Sequence, residues 1–278
     1  MVSDQERSRA ARLLAERALV RLVREYGDVP EFVLLGGLVP DLLCSNAVNR
    51  HIGTTDVDVQ VDLEIQGGSV NGARLEAALE AAGFKPDTQR VWRWKDESAP
   101  GMVVKIEFLA DLDDVPSQTT VSFDDCRSLG AVNLRGTGFA ARDYEMRTVT
   151  AELDGEQVVV DLRVATLPAY LLAKVHAAHG RNLEKDWYDV AYVLLHNDDG
   201  GPEPAARRVV ERFGDMLVGS TETALSELAS NFTDSDSQGS IAYATTTVGM
   251  HPDLDVDVLA NDAVAAVSTF TGAASINR

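Results

Sequence analysis

At 278 residues, with 45% hydrophobic and 25% charged side chains, the chain can form one large domain or two small ones and has the make-up of a globular protein. Its formal charge of −19 argues against a surface built throughout to hold nucleic acid, because that affinity comes from Lys and Arg on phosphates; only a local basic patch fits. Cys44 and Cys126 form no CxxC pair, no apolar run approaches the roughly 18–20 residues of a membrane span, and the charged N-terminal stretch lacks a signal-peptide core, so a soluble cytoplasmic protein is expected.

Residues 4–26 place Leu13, Leu14, Ala18, Leu22 and Val23 at three- and four-residue intervals, which predicts an amphipathic helix ending near Gly27 and Pro30. Phe32 to Leu35 reads as a short buried strand, Gly36-Gly37 as its turn, and Leu38 to Leu43 as the start of a helix with Pro40 in its first turn. From Asp56 to Glu64, Val57, Val59, Val61 and Leu63 alternate with Asp56, Asp58, Gln60, Asp62 and Glu64. A period of two is that of a strand, with valines on one face and carboxylates on the other.

Asn71 then caps a helix with Leu75, Ala78, Leu79 and Ala82 inward, and Gly83 stops it. Arg90–Trp94 and Met102–Ala110 read as strands, the second with Val104, Ile106 and Phe108 opposite Lys105 and Glu107. Signals weaken from Asp111 to Gly138, where a loop with short strands is expected. Arg147–Leu153 and Gln157–Val164, divided by Asp154-Gly155, predict a β-hairpin.

Thr166 and Pro168 open a helix that carries Lys174, and a second begins near Asn182 with Lys185, Asp186 and Asp189. The run Asn197 to Pro202 is a breaker and a candidate boundary. Helices are expected over Glu203–Leu217, Thr221–Leu228 and Val256–Phe270, separated by a Ser/Thr/Asp/Gly-rich segment from Ser230 to Gly249. From Phe213 onward Arg278 is the sole Lys or Arg against nine acidic residues. Mixed elements followed by helices alone predict an α/β (α+β) fold, a mixed sheet flanked by helices over 1–165 and a helical C-terminal part over 166–278.

Four features bear on chemistry. A Gly-Gly turn between strand and helix permits positive φ and close approach of backbone N–H groups to a phosphate. Asp56 and Asp58, on one strand face, are the hard oxygen ligands that Mg²⁺ accepts, and Asp is a poor strand former unless it has a task. Glu107 adds a third carboxylate if its strand lies beside theirs, with Asp111 or Asp161 as alternatives in another register. Lys174, among Leu171, Leu172, Val175 and Ala178, either snorkels outward or meets an anion. Taken alone, Lys185, Asp186 and Asp189 read as a surface ion-pair ladder. Asp253–Asp257 lacks the Gly and Glu of a calcium loop, and His176, His179 and Cys126 lack zinc spacing.

In order, LLGG, TTDVDV, KIEF, LLAKVHA and KDWYDV resemble the nucleotidyltransferase superfamily, and within it the AbiEii-type proteins that include toxins of type IV toxin–antitoxin pairs. The resemblance covers Phe32 to Leu195. It implies a nucleotidyltransferase-type fold in which Asp56, Asp58 and Glu107 bind Mg²⁺ (or Mn²⁺), Glu107 alternatively taking the proton of the acceptor hydroxyl. It further implies a catalytic set of Asp56, Asp58, Glu107, Lys174 and Asp189, and a nucleotide-binding set of Gly36, Gly37, Lys174, Lys185 and Asp186. Leu38 departs from the Ser or Thr that usually follows the two glycines. The implied activity is transfer of a nucleoside monophosphate from an NTP to a hydroxyl of tRNA or protein by a toxin with a cognate antitoxin, with Arg181 and Lys185 as the candidate basic patch. The alternatives are a binding module of the same shape without turnover, and transfer to a cationic small molecule such as an aminoglycoside.

Overall fold

The computed structural model describes residues 4–61 and 71–275, so Asp62, Leu63 and Glu64, expected to continue the alternating strand, lie outside the described residues. Two compact units emerge: Met1–Val39 with Gly53–Ala165, and Pro40–Ile52 with Thr166–Arg278.

The first unit is built on a mixed sheet. Its strands are β1 (Phe32–Leu34), β2 (Asp56–Val61), β3 (Lys85–Pro86), β4 (Arg93–Asp96), β5 (Val104–Ala110), β6 (Thr120–Ser122), β7 (Gly130–Asn133), β8 (Tyr144–Leu153) and β9 (Glu156–Ala165). They run in the order β3-β4-β5-β2-β1-β9-β8, with β7 also pairing β5 and β6. The decisive step is β2 to β5, a parallel pair in which Asp56 faces Lys105 and Asp58 faces Glu107. Val57, Val59, Val104, Ile106 and Phe108 are buried on the opposite face, as the alternation requires. Gln60 breaks it: the side chain is buried and its amide donates to the Val61 carbonyl at 3.1 Å.

Helix α1 (Asp4–Tyr26) packs on α3 (Gly72–Ala81) and on the β8–β9 hairpin. Its buried residues are Ala15, Ala18, Leu19, Val20, Leu22, Val23 and Tyr26; of the expected positions Ala18, Leu22 and Val23 face inward, whereas Leu13 is exposed. Asn71 caps α3 by accepting from the Arg74 N–H at 2.9 Å. The hairpin turns at Asp154 and Gly155, both at positive φ, the signature of a tight two-residue connection. The expected 90–94 strand is shifted to Arg93–Asp96, and the 111–138 region leads into the short helix α4 (Gly138–Arg142), held where the Asp111 carboxylate accepts the Gly136 and Gly138 N–H groups.

The second unit is helical: α5 (Leu167–Arg181), α6 (Glu184–His196), α7 (Pro202–Phe213), α8 (Ser220–Ser230), α9 (Gln238–Met250) and α10 (Val256–Ser275). Thr166 occupies the N-cap of α5 without a side-chain capping bond. The Ser/Thr-rich stretch near 230–249 contains α9, which its composition does not suggest. Ala242, Tyr243 and Ala244 are buried as α9 packs on α6 and α10, and Thr245 and Thr247 donate to carbonyls four residues back. Packing here overrides propensity.

The segment 40–52, which includes most of α2 (Val39–Leu43), is tied to α6 of this unit and to the turn after it. The Asp198 carboxylate accepts four hydrogen bonds from the backbones and side chains of Ser45 and Asn46, and Tyr192 donates to the Asn49 carbonyl at 2.9 Å. Asn197–Pro202, the candidate boundary, is instead a turn inside the unit, where the Asn197 amide donates to the Val193 and Leu194 carbonyls.

Candidate functional site

The sheet of the first unit gathers Asp56, Asp58 and Glu107 on one face. Side chains directly opposite in neighbouring strands share a face, and the β2–β5 register sets Glu107 beside Asp58. The turn after β1 lies against the same carboxylates: the Leu35 and Gly36 N–H groups donate to the Asp58 carbonyl at 2.9 and 3.2 Å.

The two glycines are needed for a different reason from the one expected. Neither adopts positive φ. A Cβ on Gly36 would lie 2.8 Å from the Asp58 Cβ and closer still to a carboxylate oxygen, and one on Gly37 would meet Thr54 Cγ2 at 2.9 Å. Close approach, not a left-handed backbone, selects glycine. Leu38, the departure from the Ser or Thr usual after the two glycines, is buried.

Two cations complete this cluster. Arg93, opposite Glu107 across the β4–β5 pair, is ion-paired with it, and Lys105 reaches Asp56 at 3.2 Å. Burial pushes the Glu107 carboxyl up, the Asp58 charge adds to that, and Arg93 opposes it. Among the described residues no three His, Cys, Asp or Glu side chains are already gathered into a metal-binding group. The donor set nonetheless fits a hard divalent cation, since three carboxylates on one face are oxygen ligands of the required charge.

Lys174, Asp186 and Asp189 belong to the second unit. Lys174 is buried, not snorkelling: its ammonium donates to Asp189 Oδ2 at 2.6 Å and lies 3.6 Å from Asp186 Oδ1. Asp189 is wholly buried, and its other oxygen meets His51 Nε2 at 2.8 Å. Burial disfavours the Asp189 charge, yet Lys174 and His51 outweigh it and hold the carboxyl far below the usual range. The His51 ring contacts Tyr188, tilted to it at 5.1 Å between centroids, and Tyr192, edge-on at 4.9 Å. Asp186 also binds Arg181 at 2.7 Å, so Arg181 is committed within the unit, while Lys185 is exposed. The surface ion-pair ladder expected for 185–189 is thus replaced, at Asp186 and Asp189, by a buried network.

Of the alternatives for the third acid, Asp111 holds the backbone of α4 and Asp161 is exposed and bonded to Thr148 at 2.7 Å. Arg93, Lys105 and His51 escaped the sequence reading. Lys105 alone had a local signal, being two residues before Glu107 on the same strand face.

The AbiEii nucleotidyl transferase toxin family, of type IV toxin–antitoxin systems, matches residues 17–243. The chain belongs to this family. The AbiEii match extends beyond the Phe32–Leu195 resemblance at both ends and includes every candidate site residue. No curated protein matches the chain. Among solved structures, an antigenic nucleotidyltransferase-like protein from Paracoccidioides brasiliensis is similar at 15% identity, covering 75% of this chain and 92% of its own, with a TM-score of 0.38. No helix among the described residues is long and apolar enough to cross a membrane.

Proposed function

We propose that this AbiEii-family chain is a metal-dependent nucleotidyltransferase that moves a nucleoside monophosphate from an NTP to an acceptor hydroxyl. The observation that carries this reading is the placement of Asp58 beside Glu107, with Asp56 on the same face and the Gly36 turn packed against Asp58. Asp56 and Asp58 would hold Mg²⁺ or Mn²⁺, with Glu107 as the third carboxylate. When bound, the cation supplies charge neutralisation for the phosphates.

The chain's own groups have defined tasks in this proposal. The acceptor oxygen bonds to the α-phosphorus, the α–β bridging P–O bond breaks, pyrophosphate leaves, and the hydroxyl proton passes to a nearby carboxylate or water. The Leu35 and Gly36 N–H groups fix the Asp58 backbone. Arg93 and Lys105, which neutralise Glu107 and Asp56 in the free protein, offset the like charge of neighbouring carboxylates. In the second unit, Asp189 fixes the Lys174 ammonium. The family assignment supports a toxin role with a cognate antitoxin.

Replacing Asp56 and Asp58 together by Ala is expected to abolish label transfer from [α-³²P]NTPs in Mg²⁺ to macromolecular acceptors in a cell extract. Unchanged transfer overturns the proposal. A second reading has its own observation: Arg93 and Lys105 already neutralise two carboxylates, and Leu38 replaces a hydroxyl residue. The fold would then bind a nucleotide without turnover, and calorimetry would find NTP affinity indifferent to Mg²⁺.

A further inference from the structure

The chain has five lysines, and three of them stand in one row across the sheet. Lys85 on β3 is directly opposite Lys95 on β4, Lys95 opposite Lys105 on β5, and Lys105 opposite Asp56 on β2. Directly opposed residues project to one face, so the row shares the face of the carboxylates and ends on one of them. Like charges directly opposite destabilise a sheet. The row is relieved only in part: Lys95 pairs with Asp87 at 2.7 Å and Lys105 with Asp56 at 3.2 Å, while Lys85 is exposed and makes no ion pair among the described residues. Trp94 and Asp96 alternate with these side chains and are buried on the other face, which fixes the row's orientation. In a protein of net charge −19, this is a concentrated line of cations beside the candidate metal ligands.

We propose that the Lys85–Lys95–Lys105 row is a track for the phosphodiester backbone of a nucleic-acid acceptor strand, leading its reacting end to Asp56. This rests on the nucleotidyltransferase reading and selects the acceptor class within it: a polynucleotide, not a protein or a cationic small molecule. Dimensions favour a strand over the NTP. Neighbouring strands are about 4.8 Å apart, so the row runs about 10 Å from Lys105 to Lys85 and about 14 Å from Asp56. A polynucleotide carries a phosphate at every nucleotide along its length, so the row can meet phosphates of more than one nucleotide. An NTP whose α-phosphate reacts at the carboxylates has only its β- and γ-phosphates to extend along the row. Because β3 is the last strand at this end of the sheet, a longer strand can continue past Lys85 over the sheet edge.

The test measures RNA binding without catalysis. A fluorescein-labelled single-stranded RNA of twelve nucleotides is titrated with the full chain in EDTA at several salt concentrations, followed by fluorescence anisotropy. For Lys85→Gln plus Lys95→Gln the expected result is affinity about tenfold weaker near 0.15 M salt, and a log–log salt slope shallower by about 1.4, two lysines at about 0.7 each. Lys85→Gln alone, at an exposed and unpaired position, should lower the slope by about 0.7 and leave thermal unfolding unchanged. Binding of a fluorescent NTP analogue in Mg²⁺ should be unaffected in both variants. Unchanged RNA affinity and slope overturn the proposal, as does loss of NTP binding with RNA binding intact, which would assign the row to the triphosphate. Because the RNA titration in EDTA needs neither turnover nor metal, it separates failure of the track from failure of Asp56 and Asp58 as metal ligands.

Discussion

Each unit contains a cluster of carboxylates and cations, and the two clusters differ in access to solvent. In the sheet unit the side chains of Asp56 and Lys105 are 44% and 33% exposed, and those of Glu107 and Arg93 about half that. In the helical unit those of Lys174 and Asp189 are 9% and 0% exposed. Exposed ion pairs exchange partners at little cost, with a net value of about 0–1 kcal/mol. Buried pairs do not, because separating them strands a charge in a low dielectric. Under the proposed function, the Asp56–Lys105 pair, the more exposed of the two, would trade its lysine for a metal and phosphates. The helical cluster is suited to hold Lys174 in one place.

The largest expected effect tests the buried side of this contrast. Asp189→Ala leaves Lys174 and His51 without their shared carboxylate and should cost about 3–5 kcal/mol in urea-induced unfolding at neutral pH. Replacing Lys174 and Asp189 together by apolar residues of similar size should recover most of that loss. A cost below about 1 kcal/mol for Asp189→Ala would place this pair with the exposed ones and remove the distinction.

What could be read from the sequence follows the range of the interactions involved. Period-two alternation marked β2 and β5 and put Asp56 with Asp58, because a strand's faces are a local property. The turn residues Asp154 and Gly155 marked the hairpin for the same reason. Whether Glu107 meets Asp58 depends on β5 lying next to β2, which no local pattern encodes; its assignment needed the family resemblance. The lysine row is still less visible, since residues 85, 95 and 105 come together only through the registers of two antiparallel pairs. His51 and Asp189 are 138 positions apart, and nothing near His51 announces its partner. Helix α9 was hidden by its composition; the Thr245 and Thr247 hydroxyls find acceptors within the helix itself, and Ser240 donates to the Asp234 carbonyl just before it.

A smaller effect sharpens the accessible side. Gly36→Ala drives a methyl group into the Asp58 side chain, whereas Gly37→Ala meets the methyl and Cβ of Thr54, outside the three carboxylates. Displacing a reacting group by about 1 Å costs on the order of a hundredfold in rate. Gly36→Ala should therefore lower nucleotide transfer about a hundredfold, with Gly37→Ala nearer to wild type. Initial rates at saturating NTP, with circular dichroism as a check on folding, decide the matter. Equal losses in the two variants would mean that the turn acts by its general shape and not by fixing Asp58.

The smallest effect concerns a buried group of the helical unit outside its ion network. His176 on α5 is buried and meets the Thr221 hydroxyl at 3.1 Å. Burial, with a lesser contribution from His179, lowers its pKa from 6.5 to about 4. The sign follows from proton uptake: between these values the unfolded chain binds a proton that the folded chain does not, so stability falls as pH drops. Above 6.5 the histidine is neutral in both states and costs nothing. From pH 7 to pH 5 the expected loss is about 2 kcal/mol, at about 1.4 kcal/mol per unit of pH once well below the unfolded value. His176→Gln should flatten that part of the profile, measured by urea unfolding at half-unit steps in a range where most carboxylates stay ionised. An unaltered slope would mean that His176 gains its proton in the folded protein without difficulty, and that α5 is less closed to water than the burial of Lys174 implies.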